Sequence, residues 1–204
     1  MVKVTRKTTE STMEVILENG PVSPDYRKGI ITPMPFLSHM LEHICWRSGF
    51  NLKTSVKTAD FYLTHVICED LGLTVGRAFG EYIKKASAEG VFGYGDATSI
   101  LDEARATVAV SFESRALFDF DSAVDVPTDV EGMLSEELMT FLDGFAQGAC
   151  CTLHIEAKKG ENAHHIWEAV FRAFGSALMR ACKSNPSRAG MTSGVAGKIE
   201  FEVE

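Results

Sequence analysis

Two segments of the chain carry one metal-ligand spacing. His65-Val66-Ile67-Cys68-Glu69 and His164-His165-Ile166-Trp167-Glu168 each set an imidazole four residues before a carboxylate, one copy in each half of the 204 residues. On a helix, positions i and i+4 share a face, so His65 with Glu69, and His164 with Glu168, can each grip one cation. His165 reaches Glu168 at i,i+3. Adjacent histidines diverge by about 100° around a helix axis, so His164 and His165 suit two neighbouring metals better than one. The first copy has Val66 where the second has His165.

The remaining histidines cluster with these motifs. His39 and His43 stand at i,i+4 with Glu42 between them, and His154 lies in Thr152-Leu153-His154-Ile155, shortly before the second motif. A lone histidine is more often a solvated or satisfied core residue than a ligand. Six of them, gathered with glutamates at ligand spacing, point instead to a metal centre. Imidazole and carboxylate donors suit Mn, Fe, Co, Ni or Zn, and the residues alone do not choose among them. The five cysteines are odd in number and scattered, with Cys150 and Cys151 adjacent. They read as reduced thiols of a cytoplasmic protein rather than a disulfide framework.

The elements that must position these groups alternate between strand and helix. Thr12 to Leu17 has the period of a strand, and Gly20 with several prolines marks a loop. Pro35 precedes a helix from Phe36 to about Ser48, with Leu37, Met40, Leu41 and Ile44 on one side. Asn51 to Lys57 is strand-like. Thr64 is a candidate cap for a long helix from His65 to about Ala86, whose apolar stripe is Leu71, Val75, Ala78, Phe79 and Ile83. Glycines 90, 93 and 95 mark a loop. The second half repeats the order: strands at Ala104–Phe112 and Ala116–Phe120, an acidic connector from Asp119 to Glu131, a helix at Leu134–Ala149, a strand at Cys151–Ala157, a turn at Lys159–Asn162, a helix from His164 to Lys183 and a last strand at Ile199–Val203. The reading is an α/β (α+β) fold: a duplicated two-layer sandwich, residues 1–97 and 98–204, each half a mostly antiparallel or mixed sheet with helices on one face, the halves packed together as one unit. Arg77-Ala78-Phe79-Gly80 recurs as Arg172-Ala173-Phe174-Gly175, one helical turn out of register with the motif alignment.

Composition sets outer limits. A 45% hydrophobic content is ample for a core, while a net charge of −8 without a basic cluster argues against nucleic acid and against an anionic membrane surface. No apolar run reaches the length of a membrane span, and Met1-Val2-Lys3-Val4-Thr5-Arg6 lacks the apolar core of a signal peptide. A cytoplasmic protein is expected.

The motifs resemble one family over nearly the whole chain, the imidazoleglycerol-phosphate dehydratases of histidine biosynthesis. Phe36-Leu37-Ser38-His39-Met40-Leu41-Glu42 is similar to the family's F-L-D-H-M-L-D, and Asp60 followed by His65, Glu69 and Asp70 to its D-x-H-H-x-x-E-D block. Leu101-Asp102-Glu103-Ala104 resembles M-D-E-A, and Ser114-Arg115 sits where the family has G-R-P. Thr152–Ile155 with Gly160–Ala169 matches the second metal block, the most specific signal in the chain. Arg6 to Glu10 resembles the N-terminal R-x-T-x-E segment, whose glutamate faces the substrate.

The resemblance implies a metal-dependent hydro-lyase converting imidazole glycerol phosphate to imidazole acetol phosphate. It implies divalent metal, manganese, two ions per site, held by His39, His65, Glu69, His154, His164, His165 and Glu168. The substrate ring, held through both nitrogens, carries the negative charge that expels the neighbouring hydroxyl, and a carboxylate moves the proton. Glu10 is the candidate acid/base, with Glu69 and Glu168 the catalytic ligands. Arg115 is the candidate phosphate fork, joined by Ser193 and Lys198. Such enzymes assemble into high-order homo-oligomers whose neighbouring subunits complete each site.

Three positions depart from the family pattern. Val66 replaces an imidazole, Asp143 stands where F-F-R-S-F-A has its phosphate arginine, and Thr192-Ser193-Gly194-Val195 lacks the lysine of S-T-K-G. His43, one turn from His39, is the candidate replacement ligand. Two alternatives stay open: a divergent paralogue acting on another small metal-binding substrate, and a non-catalytic metal-binding assembly protein.

Overall fold

A computed structural model of the chain describes residues 1–60, 62–200 and Glu202. Strand β1 (Val2–Lys7) turns back into β2 (Ser11–Asn19), whose alternate residues Met13, Val15 and Leu17 are buried. After a short helix α1 (Tyr26–Gly29) come α2 (Pro35–Ser48), β3 (Phe50–Thr58) and the long α3 (Thr64–Ala86). Strands β1-β2-β3 form an antiparallel sheet in that order.

The second half contains β4 (Tyr94–Leu101), β5 (Ala104–Ser111), β6 (Leu117–Ser122), the paired β7 (Asp129–Val130) and β8 (Met133–Leu134), α4 (Ser135–Ala149), β9 (Thr152–Lys159) and α5 (Ala163–Ala181). Its sheet runs β4-β5-β9-β6, with β6 parallel to β9 and the other pairs antiparallel. Helix α3 lies on β1 and β2, and α5 on β4 and β5. Across the halves α3 packs on α4, and α2 on α5. Four helices therefore lie between two sheets, and their apolar faces fill one core that includes Trp167, Phe79, Phe141, Phe145, Phe171 and Phe174.

The α3–α4 crossing is unusually close. A Cβ at Gly76 would stand 2.1 Å from the Phe145 carbonyl oxygen, and one at Gly148 would stand 2.0 Å from that of Leu73. Backbone meets backbone there, so no side chain fits.

Several expected elements differ. Strand β4 begins at Tyr94, so Gly95 is strand rather than loop. Thr64 is the first helical residue, with Leu63 at the cap position and no side-chain cap, so Thr64 does not cap α3. Strand β6 runs on to Ser122 and β7 occupies Asp129–Val130, so the acidic connector is shorter than the sequence suggests. Of the expected last strand, Ile199 and Glu200 are irregular, while positions 201 and 203 lie outside the described residues. Among the described residues no helix is long and apolar enough to cross a membrane. All five cysteines are free, and all but Cys150 are buried.

Candidate metal centre

The head of α5 is fixed by its cap. The Asn162 side chain accepts the backbone N–H of His164 at 2.8 Å and of His165 at 3.3 Å. The face of α5 turned to α2 then reads Glu168, Arg172, Gly175, at i, i+4 and i+7. Gly175 lets the helices close, because a Cβ there would meet the His43 carbonyl oxygen at 2.9 Å and Arg47 Cβ at 2.8 Å. The opposing face of α2 carries His39 and His43. Helix packing thus drives two imidazoles onto one carboxylate, and His164, one turn before Glu168 on α5, supplies a third.

The resulting distances are short. His39 Nε2 lies 3.1 Å and His164 Nε2 3.2 Å from Glu168 Oε2, and His43 Nε2 lies 3.3 Å from Glu168 Oε1 and 3.4 Å from His39 Nε2. Ligand atoms of His39, His164 and Glu168 all fall within 4.8 Å of one another. Arg172 Nη2 makes an ion pair with Glu168 Oε1, and its Nη1 donates to the Ile100 carbonyl at 3.1 Å. Burial pushes the Glu168 carboxyl up, but His43, His39, Arg172 and His164 outweigh it and hold it below its ordinary value. Burial lowers His43 to about 4, so its ring is neutral near pH 7.

The donor set fits a divalent cation. Electron-pair donors of two imidazoles and a carboxylate converge with His43 alongside, all hard or borderline ligands. Outer carboxylates hold the rings: Glu131 Oε1 lies 3.0 Å from His164 Nδ1, Glu103 Oε2 2.7 Å from His165 Nδ1 and Glu42 Oε2 3.5 Å from His39 Nδ1. The His165 bond, helped by the backbone N–H groups of Asn162 and Glu161, draws Glu103 down to about 2 and raises His165.

Other candidate residues lie elsewhere in the chain. His65 is exposed and Glu69 half-buried at the start of α3, which packs on α4, β1 and β2 rather than on α5. His154 alternates to the outer face of β9, 3.4 Å from Asp119 Oδ2, in a groove of about 570 Å³ with Thr107, Asp121 and Glu156. Glu10 is exposed at the β1–β2 bend, where its N–H donates to Thr8 Oγ1 at 3.1 Å. Arg115 is exposed and its carbonyl accepts from Thr152 Oγ1 at 3.0 Å. Arg188 holds the Ser193 carbonyl at 2.5 Å, and Lys198 pairs with Glu200. Asp143 is half-buried on α4 and accepts from Gln147 Nε2 at 3.1 Å.

Arg172 and Glu131 belong to this cluster but to none of the ligand motifs in the sequence. Arg172 had a signal, standing four residues after Glu168 on one helix face. Glu131 had none.

A family match covers residues 32–178, under the description imidazoleglycerol-phosphate dehydratase. The chain belongs to the imidazoleglycerol-phosphate dehydratase family. A dehydratase of that name from Thioalkalivibrio sulfidiphilus is 35% identical over 170 residues, covering 82% of this chain and 84% of the relative. One from Laribacter hongkongensis is 34% identical over 199 residues, 96% of each chain. Among solved structures, the Pyrococcus furiosus enzyme superposes with a TM-score of 0.76 at 28% identity, covering 96% of this chain and all (100%) of that one. The Staphylococcus aureus enzyme gives 0.74 at 27% identity, covering 90% and 100%. The α/β sandwich is therefore the family's fold, and its members are hydro-lyases.

Proposed function

We propose that this chain dehydrates imidazole glycerol phosphate to imidazole acetol phosphate in histidine biosynthesis. The convergence of His39, His164 and Glu168 within 4.8 Å, inside the family-matched region, carries the reading. His39, His43, His164 and Glu168 would hold one divalent metal, manganese by family resemblance, and His165 Nε2 a second. Metal bound there supplies Lewis-acid stabilisation of negative charge on the substrate ring.

The protein's own groups do the rest. Glu168, buried and held ionised by its neighbours, keeps the negative charge that binds a cation. Glu10, on the exposed bend, takes the proton from the carbon next to the one that loses hydroxide, and returns a proton later. Arg115 grips the phosphate, with Ser193 and Lys198 as further contacts. His65 and Glu69 on α3, and His154 on the outer sheet face, complete a neighbouring subunit's site in a high-order homo-oligomer. Each half, 1–97 and 98–204, contributes one motif to that assembly.

The test is a dehydratase assay on imidazole glycerol phosphate, after chelation and again after adding Mn²⁺. Activity that disappears and returns supports the reading. No turnover by metal-loaded oligomer contradicts it.

A further inference from the structure

The two adjacent histidines at the head of α5 are each held by a carboxylate from a different hairpin tip. Strands β7 and β8 pair Val130 with Met133, leaving Glu131-Gly132 as a two-residue loop with φ of 48° and 79°. Two positive φ values mark the mirror-image turn that favours Asn-Gly or Asp-Gly. A glutamate is not what that turn alone selects, and an outlier of this kind points to a task for the side chain. Its carboxylate reaches His164 Nδ1 at 3.0 Å. The second tip, Asp102-Glu103, joins β4 to β5, with Asp102 at φ 45°. There Glu103 Oε2 lies 2.7 Å from His165 Nδ1, while Oε1 accepts the N–H of Glu161 at 3.2 Å and of Asn162 at 3.0 Å. An ionised carboxylate only accepts, so Nδ1 of each ring is its N–H nitrogen. In a neutral ring that leaves the lone pair on Nε2.

We propose that Glu131 and Glu103 are positioning residues that lock the tautomer and orientation of His164 and His165, so that both rings present Nε2 to cations at the head of α5. The inference rests on the reading of these histidines as metal ligands. Glu131 acts only through His164. Removing such a partner typically weakens metal binding 10–100-fold.

Chelator competition with Mn²⁺ alone, on the intact assembly, tests it. Glu131→Gly should bind Mn²⁺ about 10–100-fold more weakly than the starting protein. Glu131→Gln should lose less, because its amide oxygen still accepts from Nδ1. Glu103→Ala and Glu103→Gln should repeat that order at His165. Glycine also relaxes the positive φ at 131, so metal-free Glu131→Gly should melt at the same temperature or higher. Falling affinity without falling stability separates positioning from a structural role. Affinities within about threefold of the starting protein, against the loss expected for such partners, would overturn the proposal. So would a melting temperature of metal-free Glu131→Gly that drops in step with its affinity. An unsubstituted protein that binds no Mn²⁺ would overturn the ligand reading and this inference together, whereas tight binding unchanged by substitution removes only the role of Glu131 and Glu103.

Discussion

His43 Nε2 lies 3.3 Å from Glu168 Oε1. The side chain is 15% exposed, and burial keeps the ring neutral near pH 7. A neutral, buried imidazole beside a carboxylate is a donor ready for a cation. His43→Ala should therefore lower bound metal by about as much as His39→Ala, and by at least the roughly tenfold that losing even an outer partner of a ligand costs. Metal counting by plasma emission on dialysed protein checks this. Val66→His should not raise metal content while His43 is present, and should restore it in the His43→Ala background. Unchanged stoichiometry in His43→Ala, with a gain from Val66→His alone, would mean the first motif is degraded without replacement.

Acid should destabilise the metal-free protein through the same residue. The folded value of His43, about 4, is below its ordinary 6.5. Above pH 6.5 neither folded nor unfolded state carries that proton, so the group is neutral to stability. Between about 6.5 and 4 the unfolded chain binds the proton and the folded chain does not, so stability falls by up to about 3 kcal/mol. Glu168, also lowered, pulls the same way, since its stabilisation is lost as pH falls through its folded value. His165, raised by Glu103, works in the opposite sense, and its contribution is lost as pH rises through its folded value. Urea midpoints at pH 7.5 and 4.5 should separate further in chelated wild type than in His43→Gln. Equal separations would contradict this assignment.

Helix packing at Gly175 sets how closely His43 approaches Glu168. A Cβ there would press on the His43 carbonyl and Arg47 Cβ at 2.9 and 2.8 Å, spreading α2 from α5. Gly175→Ala should cost about 1–3 kcal/mol of stability and weaken metal binding without touching a ligand. Thermal melting and metal titration of the one variant test both parts.

Much of this arrangement was legible from spacing. The i,i+4 pairs on α2 and α5, and the apolar stripes of α2 and α3, needed only helical periodicity. Strand β4 was not legible, because its buried face is small: Gly95 and Ala97 replace the usual branched residues, and a Cβ at Gly95 would stand 2.0 Å from the Ala177 carbonyl oxygen of α5. Close approach of a helix removed the hydrophobic signal. Strand period places His154 on the face away from the helices, but motif matching alone does not say which face a residue takes. Glu131 reaches His164 across a hairpin tip, a long-range contact that no local pattern announces.

Chelation should loosen the assembly. His65 and Glu69 open α3, away from the α2–α5 cluster, so ligands from separate subunits must share metal if both motifs are used. Light scattering should show a high-order oligomer with Mn²⁺ and smaller species after chelation. A monomer that binds metal tightly would contradict this.

The most direct measurement is an anomalous-scattering map from crystals loaded with Mn²⁺. A peak is expected within direct coordination range of His39 Nε2, His164 Nε2 and the Glu168 carboxylate together. A map with no peak among these three side chains, at full metal loading, would contradict it.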